Sequence, residues 1–191
     1  GNIGNRRWRT LLEIGEALGE ASEAGAWGRL DVYTMTPLAR RQIRQFQKIK
    51  TIEIHPALRP GQLREVYRQS DVLVLAEPTS LKGRLQVRHS ISTKVVEYLE
   101  AGRPILARAH RSAAFIQHLQ THGAAMVSMP GDDLVAQVTD LIQNRQLRLE
   151  LAQRGWRLGA EKHDQEAVGQ ALKSELSGLL RAGGAHEDSP S

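Results

Sequence analysis

The sequence predicts an α/β protein with a Rossmann-like, doubly wound parallel sheet. Five short apolar segments are bounded by turn residues and lack strict alternation, which is typical of strands buried on both faces. Segments with apolar residues at helical spacing lie between these strands. Strands separated by helices form parallel βαβ units, so helices are expected on both faces of the sheet.

The elements alternate along most of the chain. The first predicted helix carries Leu11, Ile14 and Leu18 at helical spacing, and a later one begins with Pro60, a residue favoured at the first helical position. The predicted helices are Arg6–Ala24, Pro60–Gln69, Thr93–Ala101, Ser112–His122 and Asp132–Asn144. The predicted strands are Leu30–Thr34, Thr51–His55, Asp71–Ala76, Pro104–Arg108 and Ala124–Ser128.

The strand signal stops after Arg145, where two further helices are expected, with a break near Gly155–Gly159. Residues 1–180 are therefore expected to form one domain. Residues 181–191 are small, polar and terminal, which predicts a disordered tail. At the other end, "GNIG" (1–4) is a Gly-rich turn that leads into a helix. Because such turns normally follow a strand, the chain is expected to be a fragment that begins just after the first strand of its sheet.

Composition narrows the class of protein. The 191 residues are 40% hydrophobic and 25% charged, close to a globular average, and the net charge is +5. The excess of basic residues fits phosphate ligands, nucleic acid, an anionic membrane surface or merely solvated faces. Aromatic residues make up only 4% and the arginines are dispersed, so nucleic acid is not expected as a partner. The chain has no cysteine, which suits a reducing compartment such as the cytoplasm.

The segment "STKVVEYLEAGRPILA" (92–107) carries the clearest candidate site. The unpaired N–H groups at a helix start and the helix dipole favour an anion, and the hydroxyls of Ser90, Ser92 and Thr93 add donors. Glu97, expected in the first turn, can accept hydrogen bonds from a diol such as that of a ribose. The same residues are also compatible with an ordinary cap and a carboxylate that complements the helix dipole.

This segment closely resembles the donor-binding segment of GT-B glycosyltransferases, especially the family 4 group. The family pattern K-x-x-E-Y-L-A-x-G-x-P-V is matched at six positions: Lys94, Glu97, Tyr98, Leu99, Gly102 and Pro104. "GNIGNRRWRTLLEIGEAL" (1–18), "LREVYRQSDVLVLAEP" (63–78) and "GDDLVAQVTDLIQNRQLRLELAQRG" (131–155) follow in the family's order. The resemblance covers nearly the whole ordered chain.

The resemblance implies the C-terminal, donor-binding domain of a hexosyltransferase-type enzyme. Its donor would be a nucleotide diphosphate sugar, its acceptor is unknown, and a separate N-terminal domain would bind that acceptor. Glu97 would hold the ribose, and the helix start at Ser92–Lys94 would hold the diphosphate. The resemblance also implies that no bound metal and no cofactor are needed.

Two departures from the family pattern affect the candidate residues. His89 stands where many relatives carry a second glutamate near the donor sugar, so it is either a hydrogen-bond partner of the donor or a simple loop residue. Arg6 or Arg7 falls near a phosphate-binding lysine, and Gly4 is expected to let backbone N–H groups approach the ligand. "NRRWR" (5–9) is equally compatible with a solvated helix start.

The sequence therefore predicts the donor-binding domain of a glycosyltransferase that lacks its acceptor domain. The alternative is a non-catalytic nucleotide or sugar-nucleotide binding module on the same fold. The expected location is the cytoplasm, with the inner membrane surface as a peripheral site.

Overall fold

The structure, a computed structural model, describes residues 2–80 and 93–162. The strands are β1 (Leu30–Thr34), β2 (Ile52–Pro56), β3 (Leu73–Ala76), β4 (Ile105–Arg108) and β5 (Met126–Ser128). The helices are α1 (Arg7–Glu23), α2 (Arg40–Phe46), α3 (Pro60–Gln69), α4 (Thr93–Glu100), α5 (Ala114–Thr121), α6 (Leu134–Gln143) and α7 (Arg145–Lys162). In these ranges no helix has both the length and the apolarity needed to cross a bilayer.

The strands are all parallel, as predicted, and they lie in two sheets. β1 pairs with β2, with Leu30 opposite Ile52. β3, β4 and β5 form the second sheet in that order, with Leu73 opposite Ile105 and Leu106 opposite Met126. The predicted α/β class is confirmed, and each predicted strand is present within two residues of its expected ends.

The apolar residues of β3 alternate between two core clusters. Leu73 and Leu75 pack in the cluster that contains α4 and α5. Val74 and Ala76 contact the cluster that contains α1, β1 and α6. Since successive side chains of a strand point to opposite faces, the second sheet carries helices on both faces. This layering brings the start of α1 and the start of α4 to the same edge of the sheet.

Helix α2 was not predicted from the sequence. Its segment "RRQIRQF" offers only Ile43 and Phe46 as apolar anchors, and Phe46 alone is fully buried. A side-chain amide stabilises its start, because Gln42 Oε1 accepts a hydrogen bond from the backbone N–H of Ala39 at 2.8 Å. Such a short helix has too few periodic positions for a sequence signal.

Helix α7 corrects the predicted break at Gly155–Gly159, because it runs without interruption from Arg145 to Lys162. These glycines allow α7 to approach its neighbours closely. A Cβ atom at Gly159 would lie 3.1 Å from Leu99 Cβ on α4, and one at Gly155 would lie 3.3 Å from the carbonyl oxygen of Ala124. The glycines are therefore required for packing, not for ending the helix.

We expect Gly159→Ala to stabilise the protein less than Gly19→Ala, or to destabilise it. Both glycines are inside helices, where alanine is favoured by about 0.8–1 kcal/mol. A Cβ atom at Gly19 would meet nothing within 4 Å, whereas at Gly159 it would crowd Leu99. The measurement is the free energy of unfolding in urea for both variants. An equal gain for both would contradict the close packing of α7 on α4.

Candidate functional site

The candidate site lies at the carboxyl ends of β3 and β4, near the starts of α1 and α4. In parallel α/β sheets ligands bind at this edge, where helices begin. Glu77 directly follows β3, and Arg108 is the last residue of β4. Both charged residues are largely buried, with 7% and 9% of their surface exposed, so each needs a partner.

Arg7, at the start of α1, is the partner of Glu77. Its Nε donates to Glu77 Oε2 at 2.8 Å, and the two side chains are 17% and 10% exposed. Two backbone contacts hold Glu77 in place. Its N–H donates to the Arg108 carbonyl at 2.9 Å, and its own carbonyl accepts from Thr10 Oγ1 at 2.8 Å. The guanidinium of Arg7 is therefore fixed at the mouth between α1 and β3.

A second ion pair joins α1 to the end of β4. Arg108 donates to Glu13 Oε2 at 3.1 Å through both Nε and Nη2. Its Nη1 also donates to Ser128 Oγ at 2.8 Å and to the Met129 carbonyl at 2.9 Å. Thr79 Oγ1 donates to the other oxygen of Glu13 at 3.1 Å. Arg108 is therefore a structural residue that ties three strand ends to α1.

Lys94, the second residue of α4, faces this charged cluster. Burial lowers the pKa of Lys94, and the positive charge of Arg7 lowers it further. The carboxylates of Glu77 and Glu97 act in the opposite direction but do not outweigh these effects. Arg7 and Lys94 are therefore close enough to disfavour each other's positive charge. An anion bound beside them would stabilise the charged form of both side chains.

Glu97 lies one turn further along α4, in contact with two tyrosines. Since α4 begins at Thr93, Glu97 is its fifth residue, which corrects the predicted first-turn position. Tyr67 of α3 donates its hydroxyl proton to Glu97 Oε2 at 3.2 Å. The rings of Tyr67 and Tyr98 meet edge to face with centroids 5.0 Å apart. Glu97 is solvent-exposed, and its Oε2 is held by the hydroxyl of Tyr67.

Burial is the main cause of the raised pKa of both tyrosines, and the carboxylate of Glu97 adds to it. The pKa of Tyr98 rises to about 12. Both phenols therefore stay protonated at neutral pH, and Tyr67 remains a hydrogen-bond donor to Glu97.

A cavity of about 880 Å³ opens at this edge and extends between β1 and β3. At the carboxyl end of the strands its lining includes Arg7, Lys94, Glu97, Tyr67 and Tyr98. This volume lies within the range of small-molecule sites, roughly 300–1,000 Å³. Two cations, one carboxylate and two phenol rings from this edge of the sheet thus share the lining of one cavity.

The structure separates the two arginines that the sequence left as alternatives. Arg7 lines the cavity, whereas Arg6 is the residue before α1, in the left-handed region at φ 68°, and is not among the lining residues. Gly4 lies in the turn, where its N–H donates to Asn2 Oδ1 at 2.7 Å, and a Cβ there would lie 2.9 Å from that oxygen. The N–H of Gly4 is thus occupied by a local contact, and the expectation that Gly4 lets backbone N–H groups approach a ligand stays a prediction.

Three of the predicted site residues, His89, Ser90 and Ser92, lie outside the described residues. Thr93 begins α4, and its backbone is at the expected helix start. The sequence did not single out Glu13, Glu77 or Arg108. For Glu77 and Arg108 the sequence did contain a signal, because both are charged residues directly at the ends of apolar strands.

One further group of potential metal ligands occurs within the described ranges. Asp31 of β1 and Glu53 and His55 of β2 can bring one ligand atom each to within 4.8 Å of one another. Arg29 already lies 3.1 Å from both carboxylates, and His55 Nε2 lies 2.8 Å from Asp31 Oδ1. These side chains thus form an ion-pair network on the β1–β2 sheet.

Comparison with known proteins identifies the family. A family model described as glycosyl transferase-like matches residues 18–174, so the chain belongs to that family. The predicted resemblance to GT-B glycosyltransferases is thereby confirmed. A search of curated proteins gave no match.

Among solved structures, the chain resembles WaaG, described as a glycosyltransferase involved in lipopolysaccharide biosynthesis. The TM-score is 0.61 at 14% sequence identity, and the match covers 85% of this chain. The chain spans 41% of the length of WaaG. At this identity the likeness shows the fold alone, which confirms the predicted Rossmann-like architecture of the GT-B type.

We expect Glu77→Gln to lower the free energy of unfolding by about 1–3 kcal/mol, since it weakens a largely buried, charge-assisted hydrogen bond. Arg7→Gln should cost a similar amount, and the double variant should cost less than the sum of the two. Urea unfolding measures all three. Arg6→Gln is the matched control and should change stability by less than about 0.5 kcal/mol. Strict additivity would show that Arg7 and Glu77 do not interact.

Proposed function

We propose that this chain is the donor-binding domain of a glycosyltransferase, with a nucleotide diphosphate sugar as its ligand. The observation that carries the proposal is that Arg7, Lys94 and Glu97 line one cavity, with Lys94 close enough to the other two for their charges to act on its pKa. Membership of the glycosyl transferase-like family supports a transferase of this kind. The reaction would move the sugar to an acceptor that another domain binds.

The two cations, Arg7 and Lys94, would bind the diphosphate. The start of α4 adds unpaired backbone N–H groups and the positive end of the helix dipole. Arg7 is held by Glu77 through Nε, so the other nitrogens of its guanidinium can donate to phosphate oxygens. Bond cleavage leaves negative charge on the diphosphate, and fixed donors at this position would stabilise it. This electrostatic role would be the main contribution of the domain to catalysis.

Glu97 would bind the ribose. A side chain on a helix leans towards the N-terminus, so a carboxylate one turn into α4 points back to the phosphate end. Tyr67 donates to one oxygen of Glu97 and so restricts the carboxylate. The other oxygen can then accept hydrogen bonds from the diol. This position, rather than the predicted first turn, leaves the helix start free for phosphate.

The remaining roles extend this proposal. His89, Ser90 and Ser92 would contact the donor sugar or its phosphates from the segment between β3 and α4. Arg6 would act only from outside the cavity. The chain would be one half of a larger enzyme, which its 41% coverage of WaaG supports. The cytoplasm is the proposed location, with the inner membrane surface as the alternative, because a basic chain with net charge +5 is attracted to anionic surfaces.

A non-catalytic sugar-nucleotide binding module would use the same cavity, and donor binding alone does not separate the two. The separating test joins the chain to an acceptor-binding domain and follows release of nucleoside diphosphate from sugar donors. Release that depends on Glu97 favours the transferase. Donor binding without any release favours the module.

Glu97→Gln should weaken nucleoside diphosphate binding about tenfold, because hydrogen bonds to a charged acceptor contribute roughly 1.5–3 kcal/mol. Calorimetric titration with UDP and GDP measures the effect. Folding should be unchanged, since Glu97 is exposed and glutamine can still accept from Tyr67. Glu100→Gln, an exposed position on the same helix that does not line the cavity, is the control. A 2′,3′-dideoxy nucleotide should bind the wild type as weakly as UDP binds the variant.

Nucleoside diphosphates should stabilise the domain far more than the matching nucleosides, because both cations face the phosphate position. Thermal unfolding with and without ligand is the measurement, and at 100-fold excess over Kd the gain is about 2.7 kcal/mol. The gain should persist in a chelator and should shrink for Lys94→Gln. Equal stabilisation by nucleoside and diphosphate would contradict the assignment of Arg7 and Lys94. A strict need for added divalent metal would contradict metal-independent binding.

A further inference from the structure

One exposed surface carries the whole net charge of the chain. Residues 32–52 contain no Asp or Glu and five basic residues, which are Arg40, Arg41, Arg44, Lys48 and Lys50. The full chain has 26 basic and 21 acidic residues, so the sequence outside this segment is formally neutral. All five basic side chains are exposed. We call these five residues the basic surface.

The fold does not use these charges. Within residues 2–80 and 93–162, none of the five makes an ion pair or a side-chain hydrogen bond. Exposed arginines elsewhere do pair, as Arg29 does with Asp31 and Arg154 with Glu150. Arg40 and Arg44 are four residues apart, a spacing at which like charges destabilise a helix. An anionic partner would relieve this repulsion.

The basic surface is held rigidly against the core. Phe46 of α2 is buried in the cluster that contains α1. In the turn after α2, Thr51 Oγ1 donates to the Gly15 carbonyl, and a Cβ atom at Gly15 would lie 3.0 Å from Ile49 Cγ2. At about 100° per residue, the three arginines of α2 project from the side opposite Phe46. They therefore point away from the core on a fixed element.

Two exposed apolar side chains accompany the basic surface. Met35, in the loop before α2, is 81% exposed, and Ile43 of α2 is 41% exposed. Ile43 lies about 60° from Arg40 around the helix axis. Basic residues beside exposed apolar side chains are typical of proteins that bind the headgroup region of an anionic bilayer.

Nucleic acid is the competing polyanion, and it fits this surface less well. Proteins that bind single strands place aromatic side chains where bases can stack on them. The only aromatic residue of the segment 35–50 is Phe46, which is buried. An exposed methionine and isoleucine have no role in contacts to phosphates, whereas a bilayer would cover both.

We propose that the basic surface binds the headgroups of an anionic lipid bilayer, with Met35 and Ile43 entering the interfacial region. The proposal rests on the part of the proposed function that places the protein at a membrane surface, and not on donor binding. Thr36 Oγ1 accepts from the N–H of Ile3 at 3.2 Å, and Ile3 lines the cavity. A bilayer against Met35 would therefore lie at the end of the fold that carries the candidate site.

Cosedimentation of the 191-residue chain with phosphatidylcholine vesicles, with and without phosphatidylglycerol, tests the proposal. Only the anionic vesicles should bind the protein, and high salt should release it. Each basic residue near an anionic surface contributes about fivefold in affinity, so the triple variant Arg40→Gln, Arg41→Gln and Arg44→Gln should bind roughly 100-fold more weakly.

The matched control removes the same charge from another exposed place. The triple variant Arg145→Gln, Arg154→Gln and Arg157→Gln changes three exposed residues of α7. It should bind the anionic vesicles within about threefold of the wild type, because these residues would lie outside the contact. Equal weakening by the two triple variants would overturn the proposal, since net charge alone would then explain the binding.

A dye at position 35 tests whether the apolar side chains enter the bilayer. The chain has no cysteine, so Met35→Cys carries a single environment-sensitive label. On anionic vesicles its emission should shift to the blue, and a quencher attached to the lipid should reduce it. The same label on Gln153→Cys, an exposed position of α7, should show neither change.

Three further results would overturn the proposal: equal binding to neutral vesicles, no binding to anionic vesicles at low salt, and a label at position 35 that stays in water. Tighter binding of a single-stranded RNA than of vesicles, with that label still in water, would make nucleic acid the partner. Thermal stabilisation by UDP should be equal in the wild type and the α2 triple variant. Stabilisation by UDP without vesicle binding would therefore overturn the membrane surface alone, and vesicle binding without it would overturn the donor site alone.

Discussion

The contact between Arg7 and Glu77 holds the candidate site together. It joins the start of α1 to the end of β3. Glu77 is fixed by its backbone bonds to Arg108 and Thr10, so the ion pair places Arg7 accurately. The second pair, Glu13 with Arg108, fastens the same helix to β4. Arg7, Glu77 and Arg108 are largely buried, whereas the side chain of Glu13 is 36% exposed, so loss of Glu77 or Glu13 would leave a largely buried arginine without its partner.

These ion pairs determine which charges the candidate site presents to a ligand. Glu77 neutralises Arg7 in the free protein, but burial and the charge of Arg7 still lower the pKa of Lys94. The cluster therefore keeps a tendency to bind a further anion. Glu97 stands one turn along α4, where Tyr67 holds its carboxylate. In the proposed arrangement the cations at the start of α4 bind the diphosphate. Glu97, one turn later, accepts hydrogen bonds from the ribose.

The sequence predicted the alternation of strands and helices because buried parallel strands are continuous apolar runs. The predicted break in α7 was wrong because it depended on tertiary packing. Gly155 and Gly159 are typical of a helix break in the sequence, whereas in the fold they allow the close approach of Leu99. The motif around Lys94 and Glu97 predicted a candidate site at the start of α4, which stays a prediction. Its ion pairs join residues 70 and 95 positions apart, which no local pattern reveals. The choice of Arg7 over Arg6 also required the fold.

The most direct test of the account is a crystal structure of the protein with a bound nucleoside diphosphate such as UDP or GDP. We expect phosphate oxygens within hydrogen-bond distance of Lys94, Arg7 and the first N–H groups of α4. We also expect both ribose hydroxyls on the carboxylate of Glu97, with Tyr67 still donating to that carboxylate. A nucleotide bound elsewhere, or one whose ribose avoids Glu97 while Arg7 stays paired only with Glu77, would contradict this assignment.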